Sequence, residues 1–188
     1  MTRGGFVILR NNMKIPFFLF GVACLFLASG CVHNNHYYVP KPSANIDDRV
    51  RKFSASGSVT LLNGQPSEEQ QLIMESGAHS YYDNPKAWTD VAIQVAEREL
   101  TKRGLHVVSN SGKRVTMAVE SVHTDLGTWV VTTKVVMKVQ TSDGFSKTYT
   151  GKNIAGGMTD LNHHYNEALG YAVAEMLDDE RFIAFVSK

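Results

Sequence analysis

In the fourteen residues 128–141, TWVVTTKVVMKVQT, apolar and polar positions sort onto alternate sides. Val131, Val135, Met137 and Val139 fall on one side, and Lys134, Lys138 and Gln140 on the other. A period of two sustained over that length is a β-strand with one apolar and one wet face. Ser142-Asp143-Gly144 reverses the chain, and 145–154 returns as a second strand. A hairpin this long cannot hide its apolar side alone, so the rest of the chain has to supply a cover.

Two segments have the right pattern for that cover. Asp83-Asn84-Pro85 reads as a helix start, with an Asx cap and proline in the first turn. Trp88, Val91, Ala92, Val95, Ala96 and Leu100 then recur at helical spacing up to Gly104, the expected stop. The second helix is capped by Thr159 or Asp160 and runs to about Leu177. Its stripe is Leu161, Tyr165, Ala168, Leu169, Ala172, Val173 and Met176. Further strands are predicted at 55–62, 105–109 and 114–123, with a short one around 71–75. The segment 181–186 closes the chain. The order β-α-β-β-β-β-α predicts an α+β two-layer sandwich: an antiparallel four- to five-stranded sheet with two amphipathic helices on one face. The other face, rich in Thr, Lys and Gln, is left for solvent or a partner.

The N-terminus supplies an address. Residues 15–28 carry no charge and are mostly apolar, with Arg3, Arg10 and Lys14 ahead of them. That run is shorter than the roughly 20 residues a spanning helix needs and matches the core of a signal peptide. Ala28-Ser29-Gly30-Cys31 follows and resembles the lipobox of bacterial lipoproteins, with Ala28 where Leu is commoner. Small residues fit the signal peptidase, and the Cys31 thiol is the nucleophile that takes diacylglycerol. The expected domains are therefore a signal peptide (1–30, cleaved between Gly30 and Cys31), a lipidated flexible tether (31–52) and a periplasmic α+β domain (53–188). Met13-Lys14-Ile15 would also make a well-formed signal start. Several acyl chains hold a protein firmly where one holds it marginally. Val32 after the cysteine, where Asp would favour the inner membrane, points to the outer membrane and its periplasmic face.

Cleavage removes Arg3, Arg10 and Lys14 from the 19 basic residues and none of the 18 acids, moving the net charge from +1 to −2. No basic surplus argues for nucleic acid. The only other cysteine, Cys24, leaves with the signal, so the mature fold has no disulfide to rely on.

The segments ERELTKRGLHVVSNSGKRVTMAVESV and FSKTYTGKNIAGG and the closing DERFIAFVSK, together with the lipobox, resemble the YajG-like outer-membrane lipoproteins over about residues 85–188. Helix end Thr101-Lys102-Arg103-Gly104-Leu105 and the aromatics Phe182 and Phe185 carry the most specific part of the likeness. The resemblance implies an envelope lipoprotein with a periplasmic domain. It transfers one functional residue, Cys31, and no catalytic ones.

No catalytic motif stands out. Gly-x-Ser-x-Gly, His-Glu-x-x-His and the P-loop pattern do not occur. Asp160, Tyr165, Asn166 and Leu169 resemble part of the peptidoglycan-binding signature of OmpA-like domains. The gap from Asp160 to Tyr165 is too short, however, and Val173 stands where the carboxylate-gripping Arg belongs. His33 and His36 lack a third ligand nearby, and the neighbours His163 and His164 point about 100° apart on a helix. Neighbouring His on such a helix are read as solvent-facing or capping. Gly156-Gly157 reads as a turn, and Asp178-Asp179-Glu180 as a solvated helix end. The expectation is a non-enzymatic protein with no metal or cofactor, held to the membrane by lipid and serving as an adaptor or assembly factor for another envelope component, normally a protein. Lys134 and Lys138 are the expected partner surface, with Lys147 and nearby threonines at the same face or a sheet edge. The alternative is a carrier of a small amphiphile such as lipid or glycan, held in a cavity lined by Trp88, Met117, Met137 and Phe145.

Overall fold

The structure, a computed structural model, describes residues 33–156 and 160–187. The alternation of 128–141 appears as strand β7 (Val130–Thr141), with Val131, Thr133, Val135, Met137 and Val139 buried and Lys134 and Gln140 exposed. It lies between β6 (Arg114–Leu126) and β8 (Ser146–Gly156), antiparallel to both. Strands β2 (Ser58–Asn63) and β5 (His106–Val107) complete a five-stranded sheet in the order β5-β2-β6-β7-β8.

The fold is α+β, but the sheet is mixed rather than antiparallel: β2 runs parallel to both β5 and β6. The cause is the crossover. The chain leaves β2, passes through helix α1 (Pro85–Lys102) and returns as β5. A strand that comes back through a helix lies parallel to the one it left.

β6 is longer than predicted. Its register shifts between Val119 and Ser121, a bulge that leaves Glu120 as the extra residue. Val115, Met117 and Val119 point inward before it, and Val122 and Thr124 after it. Without that extra residue Ser121 and His123 would enter the core.

Asn84 caps α1 by accepting from the backbone N–H of Lys86 and Ala87. Asp160 does the same for α2 (Leu161–Leu177) through Asn162 and His163. Helix α1 packs on β6 and β2, helix α2 packs on β8 and β7, and the two touch. At Gly151 of β8 the approach of α2 is so close that a Cβ would sit 1.9 Å from the Ala168 carbonyl oxygen. The closing segment is a third helix, α3 (Glu180–Ser187), which buries Phe182, Phe185 and Val186. Its first turn is held by Asp179, which accepts from the N–H of Arg181 and Phe182.

Residues 33–52 depart most from expectation. In place of a free tether, β1 (Asn34–Tyr37) pairs in parallel with β4 (His79–Asp83), which pairs with β3 (Gln71–Ser76) in a separate three-stranded sheet. Tyr38 packs on Trp88 and Tyr165 and donates to Asn166 Oδ1 at 2.9 Å. A 3-10 turn covers Asp47–Arg49. Ala44, Ile46 and Val50 are buried in the main core. Arg98 of α1 donates to the carbonyls of Pro42 and Ala44. Lys102 reaches Asp47 at 2.8 Å. Both cations also pair with Glu99, whose side chain is fully buried, and Arg103 is its third partner. Opposite the arm, Gly170 of α2 leaves room for Ala44, whose Cβ would lie 2.4 Å from any added Cβ. The arm escaped the sequence reading because its few apolar residues follow no period. What holds it, Arg98, Lys102 and Gly170, lies far along the chain.

Candidate functional site

The face of the five-stranded sheet opposite the helices is open, and strand register orders its residues into rows. Cross-strand partners share a face. At the tip of the β6–β7 hairpin stand Trp129, Val130 and, on β8, Ile154, exposed by 83%, 45% and 57%. The next row is His123, Lys134 and Lys152, with Lys134 directly opposite both of the others. Further along lie Ser121, Val136 and Thr150, and then Ala118, Lys138 and Thr148. Leu62 of β2 sits beside Thr116 at the far end and is exposed.

The face carries three lysines, with Asp125 and Glu120 as its acids. His123 bonds Asp125 at 3.0 Å, but Lys134, Lys138 and Lys152 make no ion pair among the described residues. Like charges directly opposite each other across strands destabilise a sheet. The two predicted surface residues, Lys134 and Lys138, share this face, and Lys152 joins them unpredicted. Lys147, expected at this face or at a sheet edge, lies on the edge strand β8 and pairs with Asp179.

A cleft of about 270 Å³ opens on the same face, walled by Gln65 and Pro66 on one side and by Thr116, Glu120 and Lys138 on the other. The loop is fixed there because Gly64 N–H donates to the Met117 carbonyl at 2.7 Å and Gln65 Nε2 to the Val119 carbonyl at 2.8 Å. The bulge at Glu120 brings that carboxylate to the rim. Its Thr, Glu and Lys suit hydrogen bonding to a partner's polar groups. No His or Cys lines it.

The other residues weighed from the sequence go to separate places. His33 bonds Ser80, and His36 bonds His79 at 2.8 Å while stacking on Tyr81. Among the described residues no three His, Cys, Asp or Glu gather where a metal ion could be held. His164 is buried, contrary to the expectation of a solvent-facing or capping side chain. Tyr165 and Leu169 lie in the core, and Asn166 is the acceptor for Tyr38 and for the Lys41 N–H. Asp178 pairs with Arg51 and Asp179 with Lys147, and both carboxyls are held below their ordinary pKa range, Asp178 chiefly by the Arg51 guanidinium. Gly30, Cys31 and Gly157 lie outside the described residues.

A buried acid went unnoticed in the sequence. Asp83, at the end of β4, is 1% exposed, and neither carboxylate oxygen has a hydrogen-bond partner. Loss of hydration raises its pKa to about 7. Tyr165 lies close enough to feel its charge.

None of the helices described is long and apolar enough to cross a membrane. The chain matches no family model and none of the curated proteins. Among solved structures it is similar to the crystal structure of protein XCC0632 from Xanthomonas campestris, assigned to the family DUF330. Identity is 12%, the TM-score is 0.43, and the match covers 76% of this chain and 90% of that one. A likeness that distant carries no argument here.

Proposed function

We propose that the protein is a lipid-anchored envelope lipoprotein, YajG-like in its sequence features, at the periplasmic face of the outer membrane. It acts without catalysis as an adaptor or assembly factor. Helices α1 and α2 form one layer, and the sheet forms a second whose free face meets an envelope protein. The observation that carries this is the row of Lys134 and Lys152, unneutralised and opposite one another, beside exposed Trp129, Val130 and Ile154. A surface that keeps such a row needs an acidic partner to offset the repulsion, and an exposed Trp is the residue type most often found at the energetic centre of an interface. The anchor rests on the order basic start, apolar core, small residues, Cys31 in the sequence.

The carrier alternative is weaker. It needs a cavity around Trp88, Met117 and Met137, and all three are fully buried in one core cluster.

A photo-crosslinking amino acid placed at Lys138 or Val130, and at Glu97 on α1 for comparison, tests the reading in intact cells. The expected result is a discrete protein adduct from positions 130 and 138, lost when Lys134 and Lys152 are both changed to Glu. Adducts equal at all three positions, or unaffected by the charge reversal, would overturn it.

A further inference from the structure

The small sheet β1-β4-β3 presents a second face unlike the first. Register places Tyr37, Tyr82 and Leu72 in one row across its three strands. Tyr37 and Tyr82 stack, with ring centres 5.8 Å apart. Tyr37 is 65% exposed and Leu72 47%, and Val39 just beyond the strand is 70% exposed. The row is apolar and aromatic and carries no charge.

The position of this row in the chain selects its occupant. Only three residues' advance separates Cys31 from Asn34, a reach of about 10 Å at full extension. From Asn34 onward the chain has no slack. The Asn34 N–H donates to the Ala78 carbonyl and the Tyr38 N–H to the Tyr82 carbonyl, each at 2.8 Å. The Lys41 N–H is held by Asn166, and Arg98 clasps the carbonyls of Pro42 and Ala44. A free tether over 31–52 would let the domain stand about 70 Å from its anchor. The docked arm permits about one-seventh of that before the small sheet begins. Tyr37 follows Asn34 by three residues of strand and so lies within about 20 Å of the Cys31 backbone.

We infer that the Tyr37–Tyr82–Leu72 row, with Val39, seats the domain on the lipid surface, in the headgroup region of the bilayer that holds the anchor. This rests on the acylation of Cys31 under the reading above. Tyrosine prefers that region because its ring is apolar and its hydroxyl can stay wet. With no charge of its own, the row gains from burying area and not from anionic lipid. The domain is then a surface-seated body with a fixed orientation, in place of one swinging on a leash.

The test uses the full acylated protein, purified in detergent and returned to vesicles of phosphatidylethanolamine and phosphatidylglycerol. A nitroxide is attached at Leu72→Cys or, for comparison, at Glu97→Cys on exposed α1. The expected result is several-fold less collision with a water-soluble nickel complex at position 72 than at 97, reversed when Tyr37 and Tyr82 are both changed to Ser. Equal access at the two positions in protein whose N-terminal peptide has the acylated mass would overturn the seat and leave the anchor standing. An unacylated mass would overturn the anchor and the seat together. Dipolar broadening of the position-72 signal in detergent, where no bilayer exists, would assign the row to a second copy of the chain and overturn the seat.

Discussion

Asp83 shows how one side chain can set the pH response of the whole fold. Its carboxyl is buried without a partner, so ionising it costs more in the folded chain than in the unfolded one. The unfolded group releases its proton near 3.8 and the folded one near 7. Below pH 4 both states hold the proton and the group is neutral to stability. Between pH 4 and pH 7 only the folded state keeps it, so stability falls as pH rises, by up to about 4 kcal/mol. Asp83→Asn removes that slope. Urea midpoints at pH 4.5 and pH 8 are expected to converge in the variant, with the larger gain at pH 8. An unchanged slope would mean that Asp83 is solvated. The Lys134–Lys152 pair gives the opposite kind of prediction. Lys152→Glu turns a repulsive cross-strand pair into an attractive one, so the urea midpoint is expected to rise slightly while the adduct from position 138 weakens. A residue that opposes stability and supports binding is what an interface would retain. A fall in both would mark Lys152 as structural.

At the scale of elements, what was legible followed local rules and what was missed did not. Both helix starts were readable because Asn84-Pro85 and Asp160 are caps within a few residues of what they cap. The strand pair β7–β8 was readable because β7 keeps Val131, Val135, Met137 and Val139 on one side and Lys134, Lys138 and Gln140 on the other, with a turn signal after it. β6 was cut short at His123 because Asp125-Leu126-Gly127 reads as a turn, whereas the strand runs on to Leu126; the bulge at Glu120, which reverses its parity, leaves no local signal. Lys134 and Lys138 followed from alternation alone, whereas Lys152 could be matched to Lys134 only through the register between strands. The arm was invisible because its anchor is Glu99, an acid in the middle of a helix stripe that sequence alone assigns to solvent. Glu99 sits between Arg98, Lys102 and Arg103, and the first two also hold the arm. Glu99→Ala strands Arg103, the least exposed of the three cations, and loosens the other two. With two of its partners reaching water, the expected loss is discounted to about 2 kcal/mol, read as a lower urea midpoint. Gly170→Ala improves helix propensity by about 1 kcal/mol yet drives a methyl into Ala44. A net loss of stability is expected. A net gain would mean that the arm can shift away at little cost.

For the molecule as a whole, the issue is whether residues 33–52 belong to the folded body or to its tether. The arm contains three trypsin sites, at Arg49, Arg51 and Lys52, since Lys41 precedes Pro42 and is not cut. Lys41 is tied by its backbone to Asn166, Arg49 lies 3.5 Å above the Tyr171 ring, and Arg51 pairs with Asp178 and Glu180. Between them, Ala44, Ile46 and Val50 are buried in the same cluster as Trp88 and Phe182. Cleaving there requires lifting those side chains out, and an opening of that size comes close to unfolding the core. Trypsin is therefore expected to cut the arm only as fast as the protein unfolds globally. The cutting rate should rise with urea on the slope of the fluorescence transition, which Trp88 reports because it is buried against Tyr38. Trp129→Phe removes the exposed tryptophan's background without touching that signal. Rapid cutting at Arg49 or Arg51 in the absence of urea, with no urea dependence, would return the arm to a tether. Under the expected result residues 33–52 and the core form one mechanical unit.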